Sequence, residues 1–317
     1  MRRRFSAPMA LVVAISMLAA GIPAYALPRQ QEGATTPVTT VITVLGPKFT
    51  PPPAIGRDDV SVYQQKEKFA ATNLVPAQGD KAALELAILI DDATLTDFGI
   101  QLKDLDDFVR SQPRTTGIGV FYADNGTIEA ASQFTTDHEA VAKAIRIPLG
   151  RFGAYTSIYL SLLDLIKRWP VTGARREVLL FADGVDRFRG DIPKSPDLEE
   201  AIEHAQTSGV IVHAMFATAA GRFGRSLFRI NLGQSNLSEL ADETGGEAFF
   251  QGLQTPVSIA PFLQQLDLIL KNQYFLTFSE PMSKKSKGEL KPIRVRTELP
   301  KVEISSPNKI FVPGGPK

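Results

Sequence analysis

The stretch Leu86–Gly99 reads LAILIDDATLTDFG, and with Leu84 and Glu85 before it forms an apolar run of strand length that stops on two adjacent aspartates. A nearly continuous apolar run of that length is what a strand covered on both faces requires, as in a parallel sheet flanked by helices. A second run, EVLLFADG at 177–184, has the same form and also ends on an aspartate. Strands of this kind deliver their terminal residues to the carboxyl edge of the sheet, where open α/β folds bind ligands near the point at which strand order reverses.

Working outward from the first run, Leu102, Leu105, Phe108 and Val109 recur at helical spacing, so residues near 97–111 are expected to be a helix with the acids of LKDLDDF on its solvated face. Asp124-Asn125-Gly126 between TGIGVFYA and TIEAASQF is a hairpin signal that adds an antiparallel edge strand. Thr136-Asp137-His138-Glu139 has capping-box spacing, with His138 expected on the surface. SIYLSLLDLIKRW is a helix stopped by Pro170, and LEEAIEHAQTSG one that ends at Gly209. VIVHAMFA, SNLSELADETGG, EAFF and VSIAPFLQQLDLILKN continue as strand, helix, short strand and helix. This alternation predicts an α/β fold with a doubly wound, mostly parallel sheet and helices on both faces. The flanking segments are different: TTVITVLG and DDVSVYQQ before it, and YFLTF, PIRVRTEL and KIFVPGG after it, point to a small β-rich region whose pairing the sequence leaves open.

The expected organisation is a signal peptide at 1–26, a Pro-rich segment with short strands at 27–80, the α/β domain at 81–275, and a β segment and tail at 276–317. The leader reading rests on Arg2-Arg3-Arg4, the apolar run that follows and Ala24-Tyr25-Ala26, and implies export to the periplasm or outside the cell with no stable membrane span after cleavage. Cleavage removes three arginines and no acid, which moves the formal net charge from +1 to −2, so no basic excess marks nucleic acid as a partner. The chain has no cysteine, which excludes disulfide scaffolds and thiolate chemistry.

Strands ending in Asp, a threonine before a helix, LLFADG and the later LADETGGEAFF together resemble the von Willebrand factor A-type domain, more narrowly its exported bacterial relatives with β segments on both sides. The resemblance covers about residues 84–275. It implies a protein-binding module with a metal-ion-dependent adhesion site for Mg2+ or Mn2+, built from an Asp-x-Ser-x-Ser loop, a threonine and a later aspartate. Thr156 matches that threonine and Asp183 that aspartate. The first loop departs from the pattern: counting from Asp91 puts Ala93 and Leu95 at the hydroxyl positions, whereas counting from Asp92 puts Thr94 and Thr96 there but adds a residue after the strand. The site is therefore expected to be degenerate, with either a weak cation or only loop-closing hydrogen bonds. Asp186 and Arg187 are expected as a local ion pair or a partner-binding rim, and Arg222, Arg225 and Arg229 as a solvated loop or a basic rim.

Enzyme readings find little support. There is no Gly-x-Gly-x-x-Gly or P-loop, the three histidines lack HExxH spacing, and GQSNL is not a nucleophile elbow. Asp-Asp-Ala is not the Asp-x-Asp of haloacid dehalogenase-type phosphatases, and a glycosidase carboxylate pair is the one enzyme reading that sequence leaves open. The expected function is a non-enzymatic module that recognises a protein or cell-envelope partner at the carboxyl edge, with a structural scaffold as the alternative and an enzyme third.

Overall fold

The computed structural model describes residues 35–221, 225–250, 256–283, 285 and 287–314; the leader expected at 1–26 and Arg222 lie outside the described residues. In chain order, β1 (Thr35–Leu45), β2 (Val60–Gln64) and β3 (Glu67–Pro76) precede β4 (Leu84–Asp91), α1 (Leu102–Ser111), β5 (Thr116–Asp124), β6 (Thr127–Thr135), α2 (His138–Ala144) and α3 (Ile158–Arg168). Then come β7 (Arg175–Ala182), α4 (Pro196–Ser208), β8 (Val210–Phe216), α5 (Leu227–Thr244), β9 (Ala248–Phe249) and α6 (Ala260–Lys271). The chain closes with β10 (Gln273–Pro281), β11 (Glu289–Pro292), β12 (Arg294–Thr297), β13 (Glu303–Ser305) and β14 (Lys309–Val312). Among the described residues no helix is long and apolar enough to cross a membrane.

Six strands form an α/β sheet in the order β6-β5-β4-β7-β8-β9, parallel throughout except for β6. β4 lies at its centre, and its residues alternate between two cores. Ala87 and Leu89 join a cluster with Leu162, Leu165, Leu198, Ile202, Leu237 and Leu240 from α3, α4 and α5. Leu86, Ile88 and Ile90 join a second with Leu105, Phe108, Val141, Leu263 and Leu266 from α1, α2 and α6. A strand with an apolar layer on each side has no polar face, which explains the unbroken LELAILI run. The hairpin forms at the expected place, with Asn125 and Gly126 both at positive φ (48° and 80°), as a tight primed turn needs.

The terminal segments pair with each other. β1 lies between β10 and β13, and β3 between β2 and β10, in an antiparallel sheet ordered β12-β2-β3-β10-β1-β13 with its own apolar cluster around Ile42, Val62, Leu276 and Phe278. A buried polar network stitches this sheet to the α/β layer. Arg175 donates to the carbonyl of Leu270 at 3.3 Å and to the Gln273 amide oxygen. Gln273 Nε2 donates to Glu177 Oε2 at 3.2 Å, and that oxygen also lies 2.8 Å from His213 Nε2. His213 Nδ1 accepts from the Glu247 amide at 3.1 Å, so the ring proton sits on Nε2 and is donated to Glu177.

Four local expectations change. The helix expected near 97–111 begins as a 3-10 segment, Thr96–Gln101, and becomes α-helical only at Leu102, since Gly99 and the threonine-rich loop ahead of it are poor α-helix formers. The acids of LKDLDDF are not all a solvated face: Asp104 accepts from the amides of Ile259 and Ala260 at 2.9 and 3.2 Å and holds the start of α6. His138 is buried, with Nε2 2.8 Å from the carbonyl of Thr116, because α2 folds back over the start of β5. The cap of α2 is Asp137, which accepts from Ala140 N at 3.1 Å; Glu139 turns to Arg110 instead of closing a box with Thr136.

Candidate functional site

The carboxyl ends of β4 and β7 are neighbours at the centre of the parallel sheet, where strand order reverses, and they set Asp91 and Asp183 side by side. Asp92 continues the β4 ladder by donating its amide to Ala123 O at 3.0 Å, so its side chain leaves on the other face. There it takes a two-pronged contact from Arg146 at 2.7 and 2.8 Å and an amide from Leu149 at 2.9 Å, while the Arg146 guanidinium lies 3.7 Å from the Tyr122 ring centroid. Asp91 Oδ1 accepts from Ala93 N at 2.9 Å. Thr94 donates its hydroxyl to the Asp91 carbonyl at 2.9 Å, and Thr96 is exposed. The register is thus the one in which Asp91 faces Asp183 while Asp92 anchors the segment that leads into α3. The β4 loop is also laced to the one after β8 by Leu95 N to Thr218 O (2.9 Å) and Ala220 N to Ala93 O (3.0 Å).

Asp183 opens a tight turn. Its Oδ1 accepts from Val185 N at 3.1 Å, and Gly184 takes φ 73°. Tyr159 and Asn236 both donate to the Gly184 carbonyl, at 2.6 and 3.0 Å. A Cβ on Gly233 would stand 1.8 Å from the Asp183 carbonyl oxygen, so the close approach of α5 to this turn requires glycine there. Arg187 folds back onto Asp183: Nη1 donates to Oδ1 at 3.1 Å and Nη2 to Oδ2. Only 10% of the Arg187 side chain is exposed, and the Phe152 ring lies 4.9 Å from its guanidinium. Thr156 is held beside it, because Phe188 N donates to Thr156 O at 3.0 Å; its hydroxyl accepts from Gly153 N (2.8 Å) and donates to Gly153 O (3.0 Å).

Asp186 does not pair with Arg187 as expected. It accepts from Ser195 Oγ and, at 3.2 Å, from Arg189 N, which closes the turn into α4. Arg229 is bound to Asp191 at 2.6 Å, and Arg225 is exposed.

One guanidinium beside two buried carboxylates leaves one positive charge too few. Burial, reinforced by Asp183 and opposed by Arg187, pushes the Asp91 carboxyl from the ordinary 3.8 up to about 7. Burial alone would lower the Arg187 pKa, but Asp183 and Asp91 outweigh it and raise it. Burial also raises Asp186. This donor set does not fit a hard divalent cation, which needs several ionised or neutral oxygens free to converge. Arg187 holds both oxygens of Asp183, Asp92 holds Arg146, the Thr94 and Thr156 hydroxyls are committed to their own loops, and Thr96 is exposed.

Around this closed centre lies an apolar rim. Of the ten large apolar side chains exposed among the described residues, nine stand on segments at this edge: Ile100 after β4; Ile147, Leu149 and Tyr155 before α3; Phe188 and Ile192 after β7; Leu227 and Phe228 after β8; Val257 before α6. Val171, at the opposite edge, is the exception. Tyr155 and Phe228 are 55% and 60% exposed, and the Tyr155 and Phe188 rings meet at 5.2 Å. Such clustering distinguishes an interaction surface from scattered exposed residues.

Arg146, Tyr159, Gly233 and Asn236 shape the site but were not singled out in the sequence. Only Gly233 left a signal, a glycine inside a helical pattern, which usually has a packing reason.

A scan against family models finds no match, and a search of curated proteins finds none either. Among solved structures, a von Willebrand factor type A protein from Catenulispora acidiphila is 10% identical, with 90% of this chain and 75% of that one covered at TM-score 0.45. The conserved hypothetical protein BatB from Bacteroides thetaiotaomicron is 14% identical over 60% of this chain and all of its own, at TM-score 0.44. An aerotolerance-related membrane protein from Bacteroides fragilis is also 14% identical, over 59% of this chain and 98% of its own, at TM-score 0.44. At these values the α/β assignment rests on strand order and register.

Proposed function

We propose that this chain is an exported, non-enzymatic interaction module of the von Willebrand factor A type, with a doubly wound α/β domain that recognises a protein or cell-envelope partner at its carboxyl edge. The observation that carries this reading is the gathering of exposed aromatic and aliphatic side chains on the loops of that edge. Tyr and Phe anchors, with Arg189 4.9 Å from the Phe188 ring, are the residue types that dominate binding energy in protein interfaces. The loops that present them are tied down by Asp92–Arg146, Asn236–Gly184 and Arg229–Asp191, so little ordering is left to oppose binding. Contact with a partner runs through these side chains and not through a bridging Mg2+.

The test immobilises the full chain, presents envelope extract, and compares wild type with the Tyr155→Ala/Phe228→Ala double variant, each in EDTA and in Mg2+. Proteins retained by wild type in both buffers and lost from the double variant support the reading. Loss in EDTA would indicate a metal bridge. Equal retention by the double variant would favour a scaffold that binds elsewhere.

A further inference from the structure

The centre of the carboxyl edge poses a charge problem that is independent of any partner. Asp91 and Asp183 are only 4% and 5% exposed, and they sit at the ends of adjacent strands. Two carboxylates brought this close away from water can both ionise only with a cation between or beside them. In this fold the cation comes from the chain itself, four residues after Asp183.

We infer that Arg187 stands in for a divalent ion: its guanidinium takes both oxygens of Asp183, and removing it frees the Asp91–Asp183 pair to hold a metal. Two observations support this. The contact is two-pronged and uses both Asp183 oxygens, so no coordination position remains on that carboxylate while the arginine is in place. The guanidinium is enclosed by the Phe152 ring on one side and also donates to Val185 O at 3.4 Å, so it is a packed component of the loop and not a surface residue passing by.

An ordinary i,i+4 ion pair on a surface would explain none of this, since exposed pairs of that kind contribute little and are readily broken. A built-in cation has two consequences that a plain ion pair lacks. The protein holds its carboxyl edge in one state whether or not divalent metal is present, and deletion of one side chain creates a binding activity instead of merely destroying a contact.

The experiment titrates Mn2+ calorimetrically into the full chain and follows the melting temperature with Mn2+ and with EDTA, for wild type, Arg187→Ala, Arg187→Lys and Arg187→Ala/Asp183→Asn. Arg187→Gln, which keeps an amide donor for Asp183 without the charge, replaces Arg187→Ala if that variant does not fold. Wild type and Arg187→Lys are expected to show no saturable binding up to millimolar Mn2+ and no shift in melting temperature. The neutral variant is expected to bind one Mn2+ at least ~10-fold more tightly than wild type and to melt higher as Mn2+ is added, as linkage requires. The double variant should lose that gain, which assigns it to Asp183. Saturable Mn2+ binding by wild type with Arg187 in place, or a neutral variant that binds no better than wild type, would overturn the inference.

Discussion

The parallel sheet carries a buried carboxylate–arginine cluster at each end, and the two are closed by different means. Toward the amino end, Glu177 is surrounded by Arg175, His213 and Gln273, and the antiparallel sheet lies over it as a lid. At the carboxyl end, Asp91 and Asp183 share Arg187 under loops alone, and the loops carry exposed aromatic side chains. The amino-end cluster has one acid and several donors; the carboxyl-end cluster has two acids and one cation. The first is an internal fastener between two layers. The second leaves a charge deficit next to a surface where a partner could dock, and only this cluster stands to change when its surroundings change.

The largest blow to this contrast should come from Glu177→Ala, which strands Arg175 in the sealed seam. A loss of about 3–5 kcal/mol in urea unfolding is expected, and a loss under about 1 kcal/mol would show that the seam is not a fastener.

Asp91→Asn should act in the opposite direction. The folded chain keeps Asp91 protonated up to about pH 7, whereas the unfolded chain releases that proton near 3.8. The folded state therefore binds more protons across that window, and wild-type stability falls as pH rises through it. The full penalty, on the order of 4 kcal/mol at most, is present above pH 7. Asparagine can still accept from Ala93 N, so the variant should be more stable than wild type at pH 8 and similar to it at pH 4. Unfolding curves at the two pH values decide this, and a variant less stable at pH 8 would refute it.

Gly233→Ala should cost about 1–3 kcal/mol, because a Cβ there collides with the Asp183 carbonyl and α5 must move. The melting temperature should fall. The smallest effect belongs to the rim: Tyr155→Ala should change stability by no more than about 0.5 kcal/mol while weakening partner capture. A large stability loss there would make Tyr155 a structural residue.

What was legible in the sequence was local. LELAILI and EVLLFA declare β4 and β7 because a strand buried on both faces must be apolar at every position, and Asn125-Gly126 declares the hairpin because its turn needs two residues that accept positive φ. The aspartates at the strand ends followed directly. Their partners did not. Asp92 finds Arg146 54 residues away across the α2–α3 segment, and no spacing rule links them. Arg187 selects Asp183 over adjacent Asp186 because the turn at Gly184 points residues 183 and 187 the same way, whereas Asp186 is drawn to Ser195. His138 looked like a surface residue for the same reason: its burial depends on α2 crossing the start of β5, a long-range fact.

The antiparallel sheet also has a bearing on time. The hydroxyls of Thr39 and Thr277 lie 2.8 Å apart although 238 residues separate them, and β3 lies against the same strand, β10. Synthesis runs from the amino end, so β1 and β3 emerge before the α/β sheet and both wait for a neighbour made only after it. Contacts between such distant parts of a chain form slowly. In the interval the α/β sheet can complete itself, since its strands lie between residues 84 and 249, while Ile42 and Val44 remain uncovered beside open backbone edges. A ribosome that stalls before residue 273 therefore leaves a product with a finished centre, an unpaired β1 and one open edge on β3, the form of exposed edge on which aggregation begins.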